Sequence, residues 1–364
     1  MLRDTSNHVT AVKRCLVTGA AGLLGRNLAK ALLARGASVR ALVHNTPLRF
    51  AHENLECFTG DVSDASRMLA ACDGIDTVFH TAAVIPLLGG RSATRQYRDA
   101  AWKINVGGTE NLLSASRQRD VERFIYTSSV DVCFDGTPNV EMNQRTPYAS
   151  KPKSVYAETK IAAEKLVLAA NGQGGLYTCA IRPDGIYGPE ENVILDTLVR
   201  QAARGMFRVA IGSPDTLQDN SYIDNLVHGE LLAAEHLGPE GTASGRAYCI
   251  SDNAPQNTFA FFRPIIEGMG VPFPKRRIPR ALIAPVLSLW EHLHFRLGIA
   301  PPPLTPHELD KITISHYGSI EDARLDLGYA PIKTYEQAIA ECLPYCRNRF
   351  LALLRQSARR PASR

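Results

Sequence analysis

The sequence lacks the cysteine pattern of a secreted or zinc-binding domain. Its eight cysteines are scattered along 364 residues, and no Cys-x-x-Cys pair occurs. Cys342 and Cys346 share a predicted helix face, but no further set of metal ligands accompanies them. In a chain of this size, the pattern indicates reduced and mostly buried thiols in a cytoplasmic protein, with neither a disulfide framework nor a metal site.

Long apolar runs are also scarce. The first residues, "MLRDTSNHVTAVKR", contain no apolar segment of the kind found in secretory signals, so we expect no such signal. The longest apolar stretch, residues 281–290, is broken by Pro285 and leads into Glu291. It is too short to span a bilayer, which needs about 20 apolar residues. A shallow contact between residues 281–300 and a membrane surface is left open.

Neither sign of charge is concentrated enough to favour a nucleic-acid partner. The net charge is +5, and 45% hydrophobic and 21% charged residues are ordinary values for a globular protein. The basic C-terminal segment "LLRQSARRPASR" is typical of a frayed, solvated terminus rather than of a nucleic-acid or membrane patch.

What the sequence does contain is a regular alternation of strands and helices from Arg14 onward. Continuous apolar runs, separated by helical stretches, read "RCLVTG", "SVRALVH", "DTVFHTAA", "RFIYTSS" and "YTCAIRP". This pattern predicts an α/β doubly wound (Rossmann) fold, a parallel sheet covered on both faces. After Pro189, proline and glycine become frequent and the strands weaken. We therefore predict a first domain over residues 1–185 and a smaller C-terminal lobe, mainly substrate-binding, over residues 186–364, with helices that pack back on the first domain.

A glycine-rich turn, "TGAAGLLG", joins the first strand to the first helix. Gly19 permits the tight turn, Gly22 lets the backbone approach a pyrophosphate, and Gly25 allows the helix to pack closely on the strand. The positive N-terminal end of the helix then faces the phosphates. This context favours an NAD(P) site over an ordinary glycine-rich turn. The same turn adds three cofactor candidates: Ala21, Leu23 and Leu24.

The second strand ends in "RALVHN", without the acid that an NAD site usually carries about 20 residues after the glycine turn. Val43 and His44 stand where that acid is expected. No carboxylate is present there to repel a 2′-phosphate, and Arg40 and His44 are candidates to neutralise one. The pattern favours NADP(H) over NAD(H). The alternatives are that His44 is an ordinary surface residue and that Arg40 points to the wrong face.

Two further strand ends supply candidate cofactor contacts. "TGDVSD" places Asp61 and Val62 after the third strand, where an aspartate can accept a hydrogen bond from the adenine amino group. The alternative role of Asp61 is a helix cap or turn. "FHTAAV" ends the fourth strand in small side chains that would let a ribose and nicotinamide lie against the backbone: Thr81, Ala82 and Ala83.

The stretch "SVYAETK" places Tyr156 and Lys160 four residues apart, on one face of a predicted helix. Upstream, the strand "RFIYTSS" ends at Ser128 and Ser129, and chemistry in an open parallel sheet collects at the carboxyl ends of the strands. A free tyrosine titrates near pH ~10. A nearby ammonium would favour its phenolate, so Tyr156 is a candidate proton donor and acceptor.

In this order and at these distances, the glycine turn, the strand-end serine and the Tyr-x-x-x-Lys pair resemble the extended short-chain dehydrogenase/reductase superfamily. "INVGGTENLL" and "RPDGIYGP" match further patterns of that superfamily, and the resemblance covers nearly the whole chain. Within it, "RFIYTSSVDV", "YAETKIAAEKLVL", "CAIRPDGIYGP" and "SYIDNLVHGELLAA" resemble the 3β-hydroxysteroid dehydrogenase branch most closely.

The resemblance implies an NAD(P)-dependent oxidoreductase in which Tyr156 is the acid/base and Ser129 holds the substrate oxygen. Ser128 is the adjacent alternative to Ser129. Lys160 would assist Tyr156 and bind the nicotinamide ribose. Asn105 would anchor a water or backbone contact near the lysine, with a helix cap as the equal alternative.

The segment from Pro183 to Ile186 would pass along the nicotinamide, by the same resemblance. Asp184, within that segment, would contact the substrate or the carboxamide, and a plain turn role is the equal alternative. The resemblance also implies a homodimer formed through helices of the cofactor domain.

Two apolar segments predict a bulky hydrophobic substrate, such as a 3β-hydroxysteroid or 3-ketosteroid. They are the loop of residues 84–102 and the stretch of residues 280–298, which would form a cover over the site. Two other functions stay open. A nucleotide-sugar epimerase or dehydratase would need diphosphate-binding cations, for which Arg200, Arg204 and Arg208 are candidates. A non-catalytic NADP-binding sensor would often lack the tyrosine or lysine, and both are present here.

Overall fold

The computed structural model describes residues 12–85 and 94–358. Its centre is a seven-stranded sheet in which every neighbouring pair is parallel, in the order β11-β7-β5-β4-β1-β2-β3. The strands are β1 (Arg14–Thr18), β2 (Ser38–Val43), β3 (Leu55–Thr59), β4 (Thr77–His80), β5 (Arg123–Thr127), β7 (Tyr177–Pro183) and β11 (Ala247–Ile250). The predicted doubly wound α/β fold is confirmed.

The described chain contains twelve α-helices. They are α1 (Leu23–Ala34), α2 (Ala65–Ala71), α3 (Arg95–Ala101), α4 (Gly108–Gln118), α5 (Val155–Ala169), α6 (Ile194–Ala203), α7 (Ile223–Glu235), α8 (Thr258–Gly268), α9 (Arg280–Leu297), α10 (Pro306–Thr313), α11 (Glu321–Leu327) and α12 (Tyr335–Ala358). A π-helical stretch, Trp102–Gly107, joins α3 to α4 without a break.

The two faces of the sheet bury separate apolar layers. On one face, Leu28 and Leu32 of α1 pack in the same cluster as Leu226 of α7. On the other face, Leu112 of α4 and Val167 of α5 pack with side chains of β1 and β5. Truncating one such buried leucine to alanine typically costs about 2–5 kcal/mol. Because both faces are covered, the strands are continuous apolar runs, which is why they are recognisable in the sequence.

The strand order reverses direction at β1. From there the chain proceeds through β2 to β3 on one side, and β4, β5 and β7 lie on the other. The loops that follow β1 and β4 therefore diverge and leave a crevice at the carboxyl ends of the strands, where doubly wound folds bind ligands.

Beyond residue 186 the chain does more than build a second lobe. β11 returns to the edge of the central sheet, and α7 packs on α1. The remaining strands form three two-stranded pairs: β8 (Gly185–Tyr187) with β10 (Asn220–Tyr222), β9 (Val209–Ile211) with β12 (Arg276–Ile278), and β6 (Asn139–Met142) with β13 (His316–Gly318). α10 packs on α9, and α12 packs on α6 and α8.

Helix α9 exposes most of its apolar side chains. Leu282, Val286, Leu289 and Leu297 are exposed, and within the helix only Leu287 is buried. Among the residues that the structure describes, no helix has the length and apolar character needed to cross a membrane. A shallow membrane contact at residues 281–300 stays a prediction.

The thiols are free in the described chain. Seven of the eight cysteines are buried, and Cys57 is exposed. Half of the basic C-terminal segment, residues 359–364, lies outside the described residues.

Candidate active site

A cavity of about 930 Å³ occupies the crevice at the carboxyl ends of the strands. Residues from the ends of β1, β2, β4, β5 and β7 line it, together with the start of α5 and one side chain of α10. The cavity brings together twenty residues that the sequence singles out individually: Gly19, Ala21, Gly22, Leu23, Leu24, Gly25, Val43, His44, Asp61, Val62, Thr81, Ala82, Ala83, Ser128, Ser129, Tyr156, Lys160, Pro183, Asp184 and Ile186. Arg40 and Asn105 are not part of its lining.

The glycine turn has the geometry that a phosphate cradle requires. Gly19 has φ +65°, and a Cβ there would lie 2.9 Å from the backbone of Ala82. A Cβ on Gly25 would lie 2.5 Å from the carbonyl oxygen of Gly19. Gly22 precedes α1, and no side chain caps the helix there, so the backbone N–H groups at this end have no side-chain acceptor. A helix N-terminus of this kind can hold a pyrophosphate.

Arg40 does not reach this cavity. It lies within β2, where its Nε is 2.8 Å from Oε2 of Glu56. Its Nη1 donates to the carbonyl oxygens of Ala71 and Asp73 at 3.0 and 2.8 Å. The guanidinium is therefore held by β3 and by the end of α2, away from the cavity. The expectation that Arg40 helps to bind a cofactor phosphate is corrected.

His44 and Asp61 face each other at the end of the cavity formed by the loops after β2 and β3. His44 Nε2 lies 3.8 Å from Asp61 Oδ2, and Asp61 Oδ1 accepts a hydrogen bond of 2.9 Å from the Ser63 N–H. Burial alone would raise the pKa of Asp61, but the hydrogen bonds from Ser63 and the proximity of His44 hold it below its usual value. Asp61 is thus an ionised acceptor at neutral pH that also closes a turn.

The loop after β4 is held against β1 by hydrogen bonds between small side chains and backbone. Thr81 Oγ1 donates to the Thr18 carbonyl oxygen at 2.7 Å, and the Ala82 N–H donates to Thr18 Oγ1 at 3.1 Å. His80 lies beneath them, with its ring nitrogens 2.8 Å from Thr18 Oγ1 and 3.0 Å from Thr109 Oγ1. Burial lowers the pKa of His80 to about 3, so it is a neutral structural residue.

Ser129, Tyr156 and Lys160 meet at the other end of the cavity. Ser154 caps α5 by accepting a hydrogen bond from the Ala157 N–H, which fixes the helix start and presents Tyr156 on its first turn. Lys160 Nζ lies 5.8 Å from the centroid of the Tyr156 ring and donates to the Thr127 carbonyl oxygen at 2.7 Å. The lysine is thereby anchored to the end of β5, two residues before Ser129.

The electrostatics of this triad differ from the simplest expectation. Burial raises the pKa of the Tyr156 phenol, Asp131 raises it further, and a hydrogen bond with Ser129 lowers it. Burial also lowers the pKa of Lys160 to about 7, against the opposing effect of the carboxylates of Glu164 and Glu230. In the protein alone, the phenol is therefore protonated at neutral pH, and the lysine is near its midpoint.

Glu230 is a buried acid beneath the triad that the sequence does not reveal. Its Oε1 accepts a hydrogen bond of 2.6 Å from the Thr127 hydroxyl, and its Oε2 is buried without a partner. Burial raises the pKa of Glu230 to about 7, against the opposing effects of Thr127 and Lys160. The acid lies 103 positions after Thr127 in the chain, so no local pattern connects them.

Asn105 ties the β4 loop to α5. Its Oδ1 accepts from the Val84 N–H at 2.7 Å, and its Nδ2 donates to the Val84 carbonyl oxygen and to Thr159 Oγ1, both at 3.0 Å. It lies inside the π-helical stretch between α3 and α4, so it is not a helix cap. The backbone contact is the alternative that this geometry favours, and a catalytic role for Asn105 stays a prediction.

Two acids and one lysine also line the cavity: Asp131, Asp184 and Lys311. Asp131 follows Ser129 and forms an ion pair with Lys311 of α10. Asp184 is buried, and its Oδ2 accepts a hydrogen bond of 3.3 Å from the Gly318 N–H. Burial, with Asp219 nearby, raises the pKa of Asp184 well above its usual value. The pairing of Asp131 with Lys311 is absent from any sequence motif.

The segments expected to cover the substrate are placed differently. Residues 86–93 of the loop lie outside the described residues, while Val84 and Ile85 line the cavity. The stretch of residues 280–298 forms α9, which does not line the cavity. α9 affects the cavity only indirectly, because it packs on α10, which carries the lining residue Lys311. The candidate diphosphate-binding residues Arg200, Arg204 and Arg208 also lie outside the lining.

Comparison with known proteins gives a consistent result. Residues 16–280 match the model of the 3-beta hydroxysteroid dehydrogenase/isomerase family. The chain is 46% identical over 336 residues to the 3 beta-hydroxysteroid dehydrogenase/Delta 5→4-isomerase of Mycobacterium tuberculosis (strain ATCC 25618 / H37Rv), covering 92% of this chain and 91% of that protein. It is 42% identical to the 3-beta-hydroxysteroid dehydrogenase of Mycolicibacterium neoaurum, covering 96% of this chain and 95% of that protein.

Solved structures share the fold. The crystal structure of gox2253 superposes with a TM-score of 0.73 at 26% identity, covering 93% of this chain and 98% of that one. The UDP-glucuronic acid 4-epimerase from Bacillus cereus, in complex with NAD, gives a TM-score of 0.69 at 18% identity, covering 93% and 99%. At that identity the likeness concerns the fold alone.

Proposed function

The chain belongs to the 3-beta hydroxysteroid dehydrogenase/isomerase family of NAD(P)-dependent short-chain oxidoreductases, and from this membership we propose that it interconverts a 3β-hydroxyl and a 3-keto group on a steroid or a similarly bulky hydrophobic molecule. The observation that carries the proposal is the meeting of Ser129, Tyr156 and Lys160 in one cavity with the glycine turn.

The glycine turn fits a dinucleotide, because a side chain on Gly19 or Gly25 would collide with backbone and Gly22 leaves the start of α1 open. When bound, the nicotinamide supplies or accepts the hydride. In the direction of oxidation, the substrate hydroxyl gives its proton to the Tyr156 phenolate as its carbinol carbon loses hydride. In reduction, the protonated phenol gives that proton to the carbonyl oxygen. The Ser129 hydroxyl donates a hydrogen bond to the same oxygen.

Lys160 has two tasks in this scheme. Its ammonium, fixed on the Thr127 carbonyl oxygen, adds positive charge beside the phenol and favours the phenolate. It also lies on the cavity wall, where it can donate to the ribose hydroxyls of the cofactor. The pKa of Lys160 is about 7. As the pH rises, the rate of oxidation should therefore increase with the phenolate form of Tyr156 only as long as enough Lys160 keeps its ammonium charge.

The substrate side of the cavity supports a hydrophobic substrate. Its lining includes apolar side chains from the β4 loop (Val84 and Ile85), from the turn after β5 (Val130) and from the start of the second lobe (Ile186, Val193 and Ile194). A rigid ring system would bury its faces against such walls, while a few polar groups orient the reacting oxygen.

We propose NADP(H) as the preferred cofactor. Support comes from Val43 at the end of β2, which leaves no carboxylate to repel a 2′-phosphate, and from His44, Asn45 and Thr46, which line the cavity beside it. Val43→Asp should introduce such a carboxylate. The ratio of kcat/KM with NADP(H) to kcat/KM with NAD(H) should then fall at least tenfold. A wild-type enzyme that prefers NADH would overturn the cofactor proposal without touching the dehydrogenase proposal.

The reaction is tested with purified protein, NADPH or NADH, and a panel of ketosteroids, β-keto acids, flavonoid ketones and nucleotide sugars. We expect loss of reduced-cofactor absorbance with ketosteroids. Tyr156→Phe should abolish turnover and leave cofactor binding near the wild-type value, because only the phenolic oxygen is removed. Activity confined to UDP-sugars, or a Tyr156→Phe variant of unchanged rate, would overturn the proposal.

We also retain two predictions on assembly and location. Buried free thiols support a reducing cytoplasmic location. A homodimer through helices of the cofactor domain is the expected assembly, and light scattering of the purified protein tests it.

A further inference from the structure

One ion pair joins the second lobe to the catalytic turn. Lys311 of α10 donates from Nζ to Oδ1 of Asp131, which lies in the short 3-10 turn (Val130–Cys133) directly after Ser129. The two residues are 180 positions apart in the chain. Both line the cavity that holds Ser129 and Tyr156. The pair therefore stands where the substrate lobe closes on the proton-transfer site.

The backbone that carries Lys311 is firmly positioned. Thr305 and Glu308 form a capping box at the start of α10, with hydrogen bonds of 2.6 and 3.2 Å. Arg280 pairs with Asp310, and Gln218 donates to the Lys311 carbonyl oxygen. A lysine on an anchored helix loses less conformational freedom when it forms an ion pair than one on a mobile loop.

Lys311 favours the ionised form of Asp131. Its side chain is 11% exposed, and burial alone would raise its pKa, but Lys311, together with His307 and His316, holds that pKa below its usual value. Without Lys311, an ionised Asp131 would raise the free energy of a phenolate at Tyr156, because the two like charges face one cavity.

Other titratable groups of the described chain surround the same site. His316 is neutral, since burial lowers its pKa to about 4, and burial likewise lowers the pKa of His307. Burial, with Asp219 nearby, raises the pKa of Asp184 well above its usual value. Further titratable groups face the site from packed elements: Tyr97 on α3, Tyr126 on β5, Lys160 and Glu164 on α5, Glu191 before α6, Asp219 before β10 and Glu230 on α7. Among the residues that line the cavity, Asp131 and Lys311 form an ion pair.

We propose that Lys311 is a positioning residue for proton transfer: its ion pair with Asp131 ties the second lobe to the catalytic turn and cancels the carboxylate charge beside Tyr156. The inference rests on the proposed role of Tyr156 as acid/base. It concerns residues that act through Tyr156 and do not themselves exchange a proton with the substrate.

The test is the pH profile of kcat/KM for oxidation in four proteins, measured above pH ~7 so that Asp131 stays ionised. Lys311→Met should move the apparent pKa of the profile upward by about one unit, roughly tenfold in rate on the acid limb. Asp131→Asn leaves Lys311 uncompensated and should move it downward. The double variant, which lacks both charges, should return close to the wild-type profile.

The opposite signs separate this role from a merely structural one. A loss of packing would lower the rate in both single variants without moving their profiles in opposite directions. Lys311→Arg keeps the charge and should retain the wild-type profile. Lys275→Met, which removes an exposed lysine of the same lobe, is the matched charge control. Thermal unfolding of each variant shows whether it is folded.

Single variants that shift in the same direction, or not at all, would overturn the inference. That result leaves the proposed function intact if Tyr156→Phe is inactive. An active Tyr156→Phe would instead remove the proposed function, whatever the four profiles show. If Lys311→Met fails to fold, Asp131→Asn and the double variant still decide the sign.

Discussion

Replacing Gly22 with alanine should separate cofactor binding from folding. Gly22 has φ −73°, which any residue adopts, and the nearest atom to an added Cβ is the Gly19 carbonyl oxygen at 3.2 Å. A small shift relieves that contact, so the free energy of unfolding should change by less than about 1 kcal/mol. The added methyl group would, however, stand at the open start of α1, where the pyrophosphate is expected to approach the backbone.

The loss of binding can be scaled from the hydrogen bonds at stake. One hydrogen bond between a backbone N–H and a charged phosphate contributes about 1.5–3 kcal/mol. Losing one such bond should raise the cofactor dissociation constant roughly tenfold to a hundredfold. Titration of the apoprotein with NADPH, followed by calorimetry or fluorescence, measures that change. Thermal unfolding without cofactor measures stability.

Two other glycines provide the controls. A Cβ on Gly25 would lie 2.5 Å from the oxygen and 2.8 Å from the carbon of the Gly19 carbonyl group, and backbone atoms there cannot move aside. Overpacking of this kind costs about 1–3 kcal/mol, so Gly25→Ala should lower the Tm by several degrees. In Gly107→Ala, the only atom near the added Cβ is the Trp102 carbonyl oxygen at 4.0 Å, so neither the Tm nor the affinity for the cofactor should change. Wild-type affinity in Gly22→Ala, or instability equal to that of Gly25→Ala, would refute the assigned geometry.

Three further variants test the structure around the site. Arg182→Met leaves the fully buried Glu164 without its ion-pair partner and should lower the free energy of unfolding by about 3–5 kcal/mol, measured by chemical unfolding. A smaller decrease in the double variant Arg182→Met/Glu164→Leu would confirm that the unpaired charge is the cause. Glu230→Gln removes an acid whose pKa is about 7 in the folded protein and about 4.5 in the unfolded chain, so the free energy of unfolding of the wild type falls as the pH rises from about 4.5 to 7. The variant has no such loss, so its free energy of unfolding relative to wild type should be on the order of 2 kcal/mol higher at pH ~8 than at pH ~5. A difference in Tm that does not depend on pH would contradict this. Arg40→Met should leave the ratio of kcat/KM for NADPH and NADH unchanged, because its guanidinium is held by Glu56, Ala71 and Asp73; a marked shift toward NADH would restore it to the cofactor site.

The central sheet could be predicted from the sequence because its signals are local. Strands buried on both faces are continuous apolar runs, and β1, β2, β4, β5 and β7 fall within the segments chosen for that reason. β11 was not predicted, because it has only four residues and lies in a part of the chain rich in glycine and proline, where the hydrophobic pattern is weak. Its place at the sheet edge is decided by pairing with β7, from a distant part of the chain.

Much of the cavity lining was predictable for the same reason, with Arg40 as the exception. Gly19, Gly22 and Thr81 lie on turns that follow strands, so position in the chain fixes position in the crevice, and Tyr156 lies on the first turn of α5. Arg40 lies inside a strand, where the direction of the side chain and its partners decide its role. Its register opposite Glu56 of β3 gave it an ion-pair partner away from the cavity.

The substrate side obeys a different rule. There the decisive contacts join residues far apart in the chain, as in Asp131 with Lys311 and Thr127 with Glu230. The apolar stretch that became α9 shows the consequence. Its composition suited a cover over the site, but its packing on α10 sends Leu282, Val286 and Leu289 outward and leaves the cavity to a lysine of the neighbouring helix. Motifs at strand ends specify the redox chemistry, whereas the charge that the substrate meets depends on how the second lobe docks. A change in α9 or α10 could therefore alter the pH dependence and substrate range without altering any recognisable motif.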